Sequence, residues 1–226
     1  MSTNDAADHE TAQKWLKTLS GQVLRLRMDY RIWDETQAII RANPKLHRSS
    51  EFYRWMREMF VSGVAMSVRR LTDSDTRAIS FFRFLKLVKG NASLVSRQRY
   101  RKLYRDDDVF SQQLRELGIM TDHVKAEYEM LVGPGKEQPS PDDIQRELDA
   151  MQQLTSKIVA LADSSIAHHE EKKPEDLPTF ADVDKAISFF EELLKRYRLL
   201  FDATSMSTDI TFQYDWKAIF RVPWIP

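Results

Sequence analysis

The chain has 226 residues, 34 basic and 34 acidic side chains, and no cysteine, which excludes a disulfide framework, a thiolate zinc site and a cysteine nucleophile. With 42% hydrophobic residues and only six glycines, the chain can bury one real core, and an all-β fold with many tight turns is not expected. The start, MSTNDAADHE, has no basic n-region or apolar h-region, and the most apolar charge-free run, Met59 to Val68, is too short for a bilayer, so a soluble cytoplasmic protein with no membrane association is expected.

Helical periodicity runs through almost all of it. Trp15, Leu19, Val23, Leu26, Tyr30, Trp33 and Ile40 recur mainly three and four apart, which predicts one long helix within residues 1–48. Asn43-Pro44 should end it, because proline disfavours helix in the residue before it. A second helix opens at Ser49 or Ser50 and runs to Leu71; it is apolar on most sides, so it is expected to be central and covered. Asp73-Ser74-Asp75 reads as the start of a third, ending at Gly90. A fourth helical stretch covers Asn91 to Arg105, and a fifth runs from about Val109 to Val132, with Gly118 a candidate kink.

Gly133-Pro134-Gly135 breaks the fifth, and Ser140-Pro141-Asp142-Asp143 starts the sixth with serine as cap and proline in the first turn. Its stripe is Ile144, Leu148, Met151, Leu154, Ile158, Leu161 and Ser165. Thr179-Phe180-Ala181-Asp182 caps a last long helix. Beyond Ser205 the apolar period falls to two, so residues 206–226 are expected as an extended tail packed on the bundle. The fold class is all-α: a single domain over 1–226 of about six to seven helices with an extended C-terminal segment.

Charge is unevenly placed. Thr76 to Arg105 holds nine basic residues and no acidic one. The densest part interleaves Arg97, Arg99, Arg101, Lys102 and Arg105 with Tyr100 and Tyr104. Cations neutralise phosphates and tyrosines stack on unpaired bases, so these seven residues are the candidate RNA-binding surface. The alternative is a solvated face paired with acidic helices, such as the one that starts at Asp142-Asp143.

His168 and His169 close the sixth helix. On the helical period His168 continues the buried stripe, seven residues after Leu161, which makes it a candidate acid–base group with His169 beside it; a structural pair is the alternative. Adjacent helical residues diverge by about 100°, and H-E-x-x-H is absent, so no metal site and no cofactor are expected. Arg69-Arg70 ends the second helix. Arg70 extends the line Met59, Gly63, Met66, so at least one guanidinium is expected to turn inward, either onto Asp73 or onto a phosphate.

The string VRRLTDSDTRAISFFRFLKLV, Val68 to Val88, is similar to the second-to-third helix junction of abortive-infection AbiU-like proteins of the HEPN superfamily. The region Ser164 to Phe201 resembles that family's "AH" helix end, loop and final helix, and Trp216 to Trp224 resembles its tail. The resemblance implies a helical bundle, often dimeric, associated with metal-independent RNA cleavage in phage-defence or toxin systems. Active members of the superfamily carry R-x(4–6)-H, with both residues facing a cleft at the dimer interface.

Here only the histidine matches. The candidate arginine positions hold Leu161, Ala162 and Asp163 before His168, and Ala162, Asp163 and Ser164 before His169. Either the site is degenerate, or Arg69 or Arg70 supplies the cation from another helix. The function expected is therefore a HEPN-like defence or toxin-type protein that engages RNA, an endoribonuclease if that site is complete, working as a homodimer with an antitoxin or other protein partner. The alternative is a non-catalytic helical interaction or dimerisation module.

Overall fold

The computed structural model describes residues 3–46, 50–104, 123–167 and 176–222. Among the described residues the regular structure is helical: α1 (Thr3–Ala42), α2 (Glu51–Thr72), α3 (Phe81–Gly90), α4 (Arg97–Leu103), α5 (His123–Val132), α6 (Pro141–Leu161) and α7 (Phe180–Asp202). At about 1.5 Å per residue α1 is roughly 60 Å long. It stops at Ala42, just before Asn43-Pro44, as expected.

Four helices make a ring, each touching the next: α1 against α2, α2 against α6, α6 against α7, and α7 back against α1. The buried row of α1 is Ala12, Leu16, Leu19, Val23, Leu26 and Trp33. Ring-to-ring packing joins α3 to α7: Phe81 stacks on Phe190 at 5.4 Å, and Phe84 meets Tyr197 edge-on at 4.9 Å. Burial pushes the Tyr197 phenol up to about 12, and its hydroxyl donates to Glu147 at 2.7 Å. Each fully buried ring of this kind contributes about 1.5–3 kcal/mol by burial alone.

Both expected capping boxes form. Ser140 Oγ accepts from the Asp143 N–H while the Asp143 carboxylate accepts from the Ser140 N–H, and Thr179 and Asp182 repeat the pattern on α7. The Lys136 ammonium, then the Ser140 N–H, hold the Asp143 carboxyl well below the usual carboxylate range. Asp143→Ala is expected to cost about 1 kcal/mol at neutral pH. A depressed carboxylate stabilises fully above its unfolded value of about 4 and loses that contribution as pH falls from there. Urea titrations at pH 7 and pH 3 check this: the gap between wild type and variant must narrow at pH 3.

Several expectations need correction. The third helix starts not at Asp73 but after Ser80, whose Oγ accepts from Arg83 N–H and donates to the Asp73 carbonyl; Asp73 ends α2 instead. The fourth stretch is broken into a 3-10 turn, Ala92–Val95, and α4, with Ser96 between them. The fifth is described only from His123, and the Gly118 position lies outside the described residues. The expected stop after it is present, with Gly133 and Gly135 at φ 117° and 71°, which a Cβ would strain.

The tail does lie on α1, where Lys217 pairs with Glu35 at 2.7 Å and the Arg31 guanidinium sits over Phe212. It is not extended throughout: Trp216–Arg221 is a 3-10 helix capped by Asp215. The largest correction concerns α2. It is covered only on the side of Val64, Ala65, Val68 and Leu71, while Phe52, Trp55 and Met59 face outward.

Candidate functional site

The C-terminal ends of α2 and α6 meet. Beyond Leu161 the chain widens into a π-helical turn, Ala162–Ala167, a local form frequent at functional sites. Arg69, reaching from α2, donates from Nε to Asp163 Oδ1 in that turn. Asp73, one turn on along α2, lies 3.9 Å from a second guanidinium nitrogen. The hydrogen bond to Asp163 is the chief reason the Arg69 guanidinium is held above its usual value. Both partners keep solvent access, at 35% and 43% exposure, so an anion in solution can reach the pair.

Arg70 corrects an expectation. The line Met59, Gly63, Met66, Arg70 does share one side of α2, but that side faces solvent, so Arg70 is exposed and Arg69 is the arginine turned inward. Asp73 pairs with Arg69 accordingly, not with Arg70. Arg70 has no ion pair with a described residue.

His168 and His169 lie outside the described residues. The helical period that carried the stripe to His168 holds only to Leu161, because a π turn adds a residue per turn and so changes the phase of the helix. The contact not foreseen from the sequence is that of Arg69 with Asp163. Its signal was the position of Asp163, four intervening residues before His168, where R-x(4–6)-H carries arginine. An acid stands there, and the fold sets an arginine from another helix against it.

An apolar groove of about 490 Å³ lies between α2, α6 and the start of α7. Val61, Ala65, Ile158, Leu161, Leu177 and Phe180 line it, with Arg57 on its rim. Neither Arg69 nor Asp163 lines it; its nearest lining residues along the chain are Ala65, one turn before Arg69, and Leu161, two residues before Asp163.

The basic and tyrosine-rich stretch is divided by the fold. Tyr100 has no exposed surface; its hydroxyl donates at 2.5 Å to Glu127 on α5, and Tyr104 donates to the same oxygen. Burial first, then the Glu127 contact, pushes the Tyr100 phenol far up. A buried ring cannot stack on a base, so Tyr100 is a structural tyrosine. Arg97 is tied to Glu137 at 3.2 Å and to the Lys136 carbonyl at 2.7 Å, and Arg99 to Asp5 of α1 at 2.6 Å.

The acidic partners therefore come from α1, α5 and the loop after it; Asp143 of α6 is occupied by Lys136 and Arg146. Arg101, which also has a partner, and Lys102 are exposed, and Arg105 lies outside the described residues. Tyr100→Phe is expected to cost about 1 kcal/mol of stability and leave RNA affinity unchanged. Paired urea melts and filter-binding titrations check it, and a large affinity loss at full stability would contradict the structural assignment.

Among the described residues no three His, Asp or Glu side chains cluster as a metal ion requires, and no helix is long and apolar enough to cross a membrane. An all-α bundle whose polar junction joins the ends of α2 and α6 defines the class of this protein. The chain belongs to the AbiU2 family of HEPN domains, whose model matches residues 10–219. No curated protein and no solved structure showed significant similarity to it.

Proposed function

We propose that the protein is a cytoplasmic, homodimeric defence or toxin-type protein that cleaves RNA without a metal ion. Arg69 holds the scissile phosphate and His168 moves the protons, with His169 beside it. The 2′-oxygen bonds to phosphorus as the bond to the 5′-oxygen breaks. His168 accepts the 2′-hydroxyl proton and gives a proton to the departing 5′-oxygen, and the guanidinium offsets charge on the phosphate oxygens. The observation that carries this reading is the seat of Arg69 against Asp163, the position from which a family arginine would serve His168. Arg70, Arg101 and Lys102 supply exposed charge for the flanking strand.

The test is cleavage of labelled total and transfer RNA in EDTA, with wild type and His168→Ala side by side. Cleavage by wild type alone is expected. Equal cleavage by both removes His168 from the mechanism. No cleavage by folded wild type favours the second reading, a non-catalytic interaction module that recruits a protein partner. The outward apolar row of α2 favours that module.

A further inference from the structure

The groove between α2, α6 and the start of α7 has no part in the cleavage proposed above. Its volume of about 490 Å³ is that of a small-molecule site. Phe60, Val61, Ile158 and Leu161 form its walls, and Leu177 and Phe180, 58% and 46% exposed, form an open lip. Among its described lining residues Arg57 alone is charged, and Thr179 is the one other polar side chain. The Thr179 hydroxyl is already used twice, donating to the Asp182 carboxylate and accepting from the Asp182 N–H.

Arg57 is exposed and has no ion pair with a described residue, whereas Arg54 is held by Glu51 and Arg69 by Asp163. On the α6 side Asp176, just before Leu177, is neutralised by Lys157 at 2.6 Å. The groove is therefore an apolar trough with an unmatched positive charge on its rim.

This composition selects an occupant. A nucleobase or an extended peptide would bring donors and acceptors that lose water in the groove and find no partner, since the backbone along α2 and α6 is paired within the helices. An alkyl chain brings none, and an anionic head on it meets Arg57. Arg57, Val61 and Ala65 recur at intervals of four and so lie in one row on α2. That row is about 12 Å long at a helical rise of about 1.5 Å per residue. An extended chain of about ten carbons, with bonds of about 1.5 Å, has the same reach.

We propose that the groove binds a medium-chain alkyl carboxylate. The carboxylate accepts two parallel bonds from the Arg57 guanidinium, and the chain runs along Val61 and Ala65 beneath Leu177 and Phe180. Binding covers the apolar lip, while the matched charges at the rim keep part of their water. RNA cleavage as proposed above uses neither Arg57 nor the groove, so this site stands or falls without it.

Calorimetric titration with sodium carboxylates below their micelle concentrations tests it. Affinity is expected to rise by up to about fourfold for each methylene added from hexanoate to decanoate, and to level off at dodecanoate, where the chain outruns the groove. Octanoate is expected to bind more tightly than 1-octanol, and octylammonium not at all. Arg57→Gln is expected to weaken octanoate about tenfold and leave 1-octanol unchanged. Leu177→Glu, at an exposed residue, is expected to weaken both without moving the urea midpoint. Octylammonium binding as well as octanoate, or a series that keeps rising past decanoate as adsorption on any apolar surface does, overturns the site. Absence of binding to folded wild type overturns it too, and leaves the groove to an apolar segment of a protein.

Discussion

Glu191→Ala is expected to lower the unfolding free energy by about 3 kcal/mol, the low end of the cost of breaking a buried pair, because Glu191 is buried but Arg27 is only half-buried and keeps Asp184. Arg27 of α1 meets Glu191 of α7 through two parallel bonds, Nε to Oε1 at 2.8 Å and Nη2 to Oε2 at 2.7 Å. It also donates to Asp184 Oδ1 at 2.9 Å and to Ser188 Oγ at 3.2 Å. Glu191 is 7% exposed, so solvent screens the pair little and cannot replace the carboxylate. These contacts hold the Arg27 guanidinium far above its usual value, the Glu191 bond contributing most.

For a domain of this length such a loss lowers Tm by roughly 10 °C. The pair itself is a weaker source of stability than its removal suggests, because desolvation of both ions opposes their attraction. Arg27→Met with Glu191→Leu is therefore expected to fall within about 2 kcal/mol of wild type. Urea unfolding of the single and double variants decides it. A single variant that loses less than about 1 kcal/mol would show that Asp184 and water already compensate.

That network illustrates what one sequence reveals about this fold. Apolar spacing located the long helices, and the two caps at Ser140 and Thr179 were legible because a capping box is local, a matter of four adjacent residues. Arg27 and Glu191 are 164 positions apart, and nothing near either distinguishes them from other charged residues on helices. The same limit explains Arg97 to Tyr104. Arg97 and Tyr100 share a side of α4 and Tyr104 follows its end, but only the tertiary position of Glu127, Glu129 and Glu137 turns these residues into an internal seam.

On α2 the period was legible but its orientation was not. A helix apolar all round is ordinarily central, and here Phe52, Trp55 and Met59 are outward. At the candidate site, the regular helical period led past Leu161 to His168, and the π turn that interrupts it has no simple residue signature. What the residues did contain was the mismatch with R-x(4–6)-H and the alternative that Arg69 or Arg70 replaces the missing arginine. The fold favours Arg69 by turning it inward.

Arg69→Ala is accordingly expected to lower the rate of RNA cleavage about 100-fold or more, the range seen when one donor to a developing anion is removed. The fold should tolerate the change. Arg69 and Asp163 are about a third and nearly half exposed, and an ion pair so hydrated is worth only about 0–1 kcal/mol. Loss of cleavage with an unchanged urea midpoint thus separates chemistry from folding. Arg69→Lys is expected not to restore the rate, since an ammonium lacks the planar fork that engages two phosphate oxygens.

Asp163→Asn has the opposite sign for binding. The carboxylates of Asp163 and Asp73 both neutralise Arg69 in the free protein, so a phosphate must compete with Asp163 for the guanidinium. Removing that charge is expected to raise RNA affinity several-fold and to steepen its salt dependence by about one counterion. Cleavage kinetics in EDTA and binding across a salt series measure both. If Arg69→Ala cleaves at the wild-type rate while His168→Ala does not, the phosphate is held elsewhere, and exposed Arg70 becomes the residue to replace next.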